Sequence, residues 1–271
     1  MTAVLTRRRA HLLVAVACAL AWLACWAMVA TGEGVAEDDG TVLRWLVGHR
    51  DPTATRVLGG ISSTPVDLLL VLGAAAVVAV VASRARSWWP LVVLGTATTA
   101  AVVLAETVKA VVGRARPAAT AMLGRPETGS GFPSAHTLVL GAVLGAAALS
   151  VWRWTTTQLA RVAATTTAVG LSAAMGLSRL YLGDHWLTDV LASYALVGVV
   201  LAGAACLPHP RRDLGAAATR PRDPEPPFSD RRVQRYNLVR TPSVVVLGQS
   251  VAIAGLMPML RGRRCSARRR P

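Results

Sequence analysis

Long apolar runs separated by short polar segments dominate this sequence. Six of them reach the roughly 20 residues that a helix needs to cross a bilayer. These runs span about 10–31, 65–83, 88–108, 134–152, 159–177 and 188–207. The pattern therefore predicts an all-α, polytopic membrane protein, a six-transmembrane-helix bundle that occupies residues 1–207.

The first apolar run follows Arg7-Arg8-Arg9, as the core of a secretory signal does. It is longer than a usual signal core, and no clear small-residue cleavage site follows it. We therefore expect an uncleaved first membrane helix. The next segment, 41–62, mixes apolar and polar positions, which indicates a short amphipathic helix at the outer membrane surface.

The placement of charge predicts the orientation of the bundle. The chain has 271 residues and a net charge of +15. Arginines cluster before the first run, in two short connections (Arg84/Arg86 and Arg153/Arg161) and after residue 210. With the N-terminus inside, all four regions are cytoplasmic, as the positive-inside rule expects. This basic rim suits anionic membrane lipids and accounts for the charge without a nucleic-acid partner.

The segment 208–271 differs from the rest of the chain. Pro, Arg and Asp dominate 208–240, which is typical of a linker or a disordered tail. An apolar stretch, 243–260, then leads into an Arg-rich end. A seventh span would place those arginines outside, so we favour a cytoplasmic basic tail, partly disordered or surface-associated.

Three polar motifs interrupt the apolar pattern, and the first two lie at helix ends. Lys109-x6-Arg116-Pro117 leaves the third run and contains the only lysine in the chain. Pro133-Ser134-Ala135-His136 opens the fourth run, where Ser134 is placed as an N-cap and the helix start offers free amides to an anion. Taken singly, each motif has an ordinary explanation. Lys109 can extend its side chain to the membrane–water interface, and Pro133-Ser134 can simply start a helix.

The third motif, Ser178-Arg179-x5-His185-x3-Asp189, joins the fifth run to the sixth. Arg179 can hold a phosphate through several donors. Asp189 follows His185 by four residues, on the same helical face, and can orient its imidazole. With six alternating helices, all three motifs lie at the same, extracytoplasmic face of the membrane. That convergence favours one shared site.

The order and spacing of the three motifs closely resemble the type 2 phosphatidic acid phosphatase family. The motifs cover about 109–189, and the helix plan extends the resemblance to about 10–207. One departure is Ala135, which stands where the family commonly has glycine. The backbone amide remains, but a bound phosphate can approach less closely.

The resemblance implies a phosphatase mechanism with neither a metal nor a cofactor. His185 would attack phosphorus and form a phosphohistidine, Asp189 would hold its ring, and His136 would protonate the leaving group. The phosphate oxygens would be held by Lys109, Arg116, Ser134, Ala135 and Arg179. Positioning and charge stabilisation are what phosphoryl transfer chiefly requires.

The implied substrate is a lipid phosphate or diphosphate in the membrane. Candidates are phosphatidic acid, phosphatidylglycerol phosphate and a polyprenyl carrier such as undecaprenyl diphosphate, and an outward-facing site favours the carrier. Two alternatives remain open: a vanadate-dependent haloperoxidase, whose anion pocket resembles that of the family, and a non-enzymatic transporter or scaffold. Six apolar spans argue against the first, and the intact histidines argue against the second.

The oligomeric state is not predicted. The scattered cysteines, Cys18, Cys25, Cys206 and Cys265, show no metal-ligand spacing, and we assign them no function.

Overall fold

The computed structural model describes residues 2–124 and 126–207, and this part of the chain contains helices and no strand. The predictions for 208–271, including Cys265, lie outside the described residues. The α-helices are α1 Thr2–Thr31, α2 Asp39–Gly48, α3 Pro52–Ile61, α4 Thr64–Ala85, α5 Trp89–Val112, α6 Ala135–Trp154, α7 Gln158–Tyr181 and α8 Leu187–Cys206. Two short 3-10 helices, Gly34–Ala36 and Ala119–Ala121, lie in the connections.

Six long helices, α1 and α4 to α8, form where the six apolar runs predicted them. Five of these six are apolar enough to span a membrane, which confirms an all-α, multi-pass membrane fold. The sixth, α7, is less apolar, because Arg161 and Thr165-Thr166-Thr167 lower its mean hydropathy. Its 24 residues extend about 36 Å and are long enough to cross.

The segment 41–62 forms two helices, so the prediction of one amphipathic helix is wrong. The chain breaks at Asp51-Pro52, where α3 begins. The Asp51 carboxylate accepts hydrogen bonds from the amides of Thr53 (2.8 Å) and Ala54 (3.0 Å). An Asp cap followed by proline at the first helical position is a strong start signal, which overrides the continuous pattern.

The central helix of the bundle is α6, which packs against α4, α5, α7 and α8, while α1 packs against α8. Its contact face is made of small residues: Ala142 and Ala146 are fully buried against Ala97 and Ala101 of α5. Small side chains let helices approach closely where lipid supplies no hydrophobic driving force. The packing brings the ends of α5 and α7 and the starts of α6 and α8 to one end of the bundle.

Candidate active site

A cavity of about 420 Å³ lies at that end of the bundle. It is lined by Lys109, Arg116, Pro126, Glu127, Thr128, Ala135, His136 and His185. Each of the three sequence motifs contributes to this lining. The fold thus brings the motifs to one place, as the alternation of helix directions predicts.

His185 lies in the short connection between α7 and α8 and is 1% exposed. Its Nε2 is 3.1 Å from Nη1 of Arg116, and its Nδ1 is 3.4 Å from Oδ2 of Asp189. A guanidinium only donates, so Nε2 accepts and the ring proton resides on Nδ1, which donates to Asp189. Burial lowers the pKa of His185, although the hydrogen bond to Asp189 opposes this shift. This hydrogen-bond arrangement leaves Nε2 of His185 as the unprotonated ring nitrogen, on a residue that lines the cavity.

Arg116 and Arg179 share one carboxylate. Oε2 of Glu127 lies 2.8 Å from Nη1 of Arg116, and Oε1 of Glu127 is bonded to Nη2 of Arg179. Burial raises the pKa of Glu127, but the two guanidinium groups outweigh it and the net shift is downward. Glu127 is thus an anion that already spans the two arginines.

Both arginines keep an unused donor. The Nε atoms of Arg116 and Arg179 are buried and make no hydrogen bond within the described residues. Buried guanidinium donors without acceptors are costly, and an anion would satisfy them. Arg179 does not line the cavity itself, but reaches its edge through Glu127.

The connection before His185 is fixed by Gly183 and Asp184. Gly183 has φ +82°, and a Cβ there would collide with the carbonyl oxygen of Ala121, so only glycine fits. Asp184 lies 3.1 Å from Nη2 of Arg179, and its backbone carbonyl accepts from Arg116 at 2.9 Å. Burial raises the pKa of the Asp184 carboxyl. The turn therefore positions both arginines together with the histidine.

The start of α6 is arranged partly as the sequence suggests. Ser134 holds the N-cap position, but it is fully buried and its hydroxyl pairs with Thr137 at 3.0 Å. The cavity is lined by Ala135 and His136 instead. Nε2 of His136 faces Oδ2 of Asp67, on α4, at 3.7 Å. Lys109, the remaining cation, lies 3.5 Å from Glu106 and keeps its side chain at the cavity.

A second, apolar groove of about 220 Å³ adjoins this cavity. It runs between α4 and α6 and is lined by Asp67, Val71, Ala135, His136, Val139 and Leu140. Ala135 and His136 border both spaces. A cationic cavity and an apolar groove therefore meet at the histidine that opens α6.

Residues 90–213 match the family model of the PAP2 superfamily. This matched segment is similar to the PAP2 superfamily. It contains all three motifs and every residue that lines the cavity. It also contains the residues that line the groove, apart from Asp67 and Val71 of α4.

The chain is also similar to a solved structure. This is a transmembrane PAP2-type phosphatidylglycerolphosphate phosphatase from Bacillus subtilis, with a TM-score of 0.57 and 24% sequence identity. The match covers 70% of this chain and 92% of that protein. At this identity the likeness shows the fold. The comparison with curated proteins gave no match.

Sequence reasoning missed several charged residues of the site and its surroundings: Asp39, Asp67, Arg114, Glu127 and Asp184. Each reaches the site through a contact between elements distant in sequence, apart from Asp184. The sequence offered one weak signal, because Arg114 lies two positions before the arginine of the first motif.

Proposed function

We propose that this protein is a membrane phosphatase that hydrolyses a lipid phosphate or diphosphate through a phosphohistidine intermediate at the extracytoplasmic face. One observation carries the proposal: a cavity lined by Lys109, Arg116 and His185 adjoins an apolar groove between α4 and α6. A phosphate suits the first space and a hydrocarbon chain the second. An amphiphile can occupy both, with the ester bond near His136.

The positions of the side chains support the chemistry that the resemblance implies. Nε2 of His185 attacks phosphorus, an N–P bond forms, and the P–O bond to the leaving group breaks. His136 donates a proton to the departing oxygen. Water then attacks phosphorus, His136 accepts a proton from it, and the N–P bond breaks to release phosphate. Asp189 holds the Nδ1–H as positive charge develops on the ring.

The phosphate oxygens have three cations within reach of the cavity: Lys109, Arg116 and Arg179. The first turn of α6 adds free amides, beginning at Ala135, and the positive end of the helix dipole. In this arrangement Ser134 acts through its cap position, since its hydroxyl is bonded to Thr137. These groups offset charge on the equatorial oxygens as the phosphoryl group transfers.

The distribution of arginines supports the proposed face. Arg84, Arg86, Arg153 and Arg161 lie at the ends of α4, α6 and α7 remote from the cavity. Arginine-rich connections stay on the cytoplasmic side, which leaves the cavity outside.

Detergent-solubilised full-length protein tests the function. We expect inorganic phosphate release from phosphatidic acid, phosphatidylglycerol phosphate or undecaprenyl diphosphate, with EDTA present, and much slower release from water-soluble glycerol 3-phosphate. No release from any of the lipids would contradict the proposal. Vanadate-dependent halide oxidation in a parallel assay would favour the haloperoxidase alternative instead.

Filling the groove should weaken binding of the lipid substrate without changing the rate with a water-soluble substrate. Val71→Trp places an indole between α4 and α6, where the hydrocarbon chain of the lipid substrate is proposed to lie. Losing contacts to two methylenes, at about 0.8 kcal/mol each, corresponds to roughly a tenfold rise in KM for the preferred lipid. The rate with glycerol 3-phosphate should not change.

A matched control for the groove is Val77→Trp. Val77 is on the same helix, is 45% exposed and does not line the groove. We expect its KM to equal that of the wild type. An equal rise in both variants would mean that bulk on α4, rather than the groove, affects binding.

A further inference from the structure

Arg114 joins two buried carboxylates behind the candidate active site. It follows the end of α5, where Gly113 closes the helix. Its Nη1 lies 2.5 Å from Oδ1 of Asp189, and its Nη2 lies 2.6 Å from Oδ2 of Asp39. Asp189 and Asp39 are 0% and 4% exposed, so neither carboxylate has water to compensate its charge.

Asp39 is the inward-facing member of an acidic run. Glu37 and Asp38 are exposed, whereas Asp39 opens α2 and points into the bundle. Its Oδ1 accepts the amide of Thr188 at 2.9 Å, and its Oδ2 accepts the hydroxyl of the same residue at 2.6 Å. Two hydrogen bonds therefore fasten α2 to the first turn of α8, directly beside Asp189.

The bonds to Asp189 determine which oxygen faces His185. Arg114 holds Oδ1 at 2.5 Å, and the amide of Trp186 donates to Oδ2 at 3.0 Å. The remaining lone pair of Oδ2 is directed at Nδ1 of His185, 3.4 Å away. Without the guanidinium, Oδ1 would have no charged partner, and the carboxylate could rotate away from the ring.

We infer that Arg114 and Asp39 are positioning residues for the His185–Asp189 pair: Asp39 holds Arg114, and Arg114 holds Asp189. This inference rests on the proposed function, because it assigns a role in the attack step of that reaction. Neither residue lines the cavity. Their loss should therefore slow the chemical step and leave substrate binding unchanged.

The test uses the full-length protein in detergent and the lipid that the wild type hydrolyses best. For Arg114→Met we expect kcat to fall about 100-fold, since small misplacements of reacting groups have effects of this size. KM should stay within about twofold, because phosphate contacts are untouched. Arg114→Lys should recover part of kcat. Asp39→Asn should lower kcat less, because Arg114 still pairs with Asp189.

Rapid-quench measurement with a ³²P-labelled substrate locates the slowed step. Both Arg114→Met and Asp39→Asn should lower the rate at which labelled protein appears, with a smaller effect on its hydrolysis. A structural role alone would lower Tm and the active fraction without changing this rate per active site. If Arg114→Met does not fold, Arg114→Lys and Asp39→Asn make the same measurement.

Arg153→Met is the matched control. Arg153 lies at the opposite end of α6 and donates to the carbonyl of Ala205 at 2.6 Å, so its loss affects packing only. Unchanged kcat in Arg114→Met, or a rise in KM alone, would overturn the positioning role while the wild-type activity stands. A wild type that releases phosphate from no lipid would instead overturn the proposed function.

Discussion

His185→Ala should abolish phosphate release from the lipid substrate. The variant lacks the Nε2 that faces the cavity, and no other imidazole nitrogen in the described residues approaches Arg116. Removal of a nucleophile that acts with its partners as a unit lowers kcat by at least about a thousandfold. Phosphate release by the purified variant, and the absence of ³²P-labelled protein after an acid-free quench, measure this loss.

The fold should survive this change, because the alanine leaves the Arg114–Asp189 pair intact. Size-exclusion chromatography and Tm check that point. His49→Ala is the matched histidine control: His49 ends α2, stacks on the exposed Trp45 and lies away from the cavity. It should retain wild-type turnover. Near-normal turnover by folded His185→Ala would remove the nucleophile assignment.

Arg179→Ala should lower kcat/KM by about 10²–10³, the usual effect of losing one preorganised donor to a developing anion. The buried guanidinium is proposed to hold a phosphate oxygen, and its Nε is available for that bond. The change also leaves Asp184 and Glu127 without their shared cation. Breaking a buried ion pair in this way costs about 3 kcal/mol, so a lower Tm should accompany the lost activity.

Arg179→Lys separates the two effects. A lysine keeps the positive charge beside Asp184 but loses the planar set of donors. We expect Tm to recover and kcat/KM to stay at least tenfold below the wild type, since one charge-assisted hydrogen bond is worth about 1.5–3 kcal/mol. Arg161→Ala, near the start of the same helix, should match the wild type in kcat/KM. Wild-type kinetics in Arg179→Lys would mean that charge, not bidentate binding, is what the site requires.

The sequence predicted the helices of this protein well, because membrane spans need long apolar runs and these are visible without a structure. The α7 helix also forms where the run 159–177 predicted it, although Thr165-Thr166-Thr167 lowers its hydropathy. The sequence prediction failed in the segment 41–62. The break between α2 and α3 depends on the local cap at Asp51, which a smooth amphipathic pattern conceals.

The residues of the candidate site also fall into two groups, those that the sequence could predict and those that it could not. Lys109, Arg116, His136, His185 and Asp189 could be found from motifs and helix direction, because the ends of alternating helices converge. Glu127 could not, since it acts from a loop and its contacts to Arg116 and Arg179 depend on the path of that loop. Asp39 could not either: nothing in the acidic run indicates which of its members turns inward.

The carboxylate of Glu127 has a consequence for turnover. Because it bridges Arg116 and Arg179, it offsets the repulsion between two guanidinium groups that are themselves mostly buried. In the proposed function, a phosphate group competes with Glu127 for the terminal nitrogens of these arginines, so its affinity depends on the difference between two sets of ion pairs. Such an exchange works in both directions. The same carboxylate that an incoming substrate displaces can return to the arginines and help inorganic phosphate to leave.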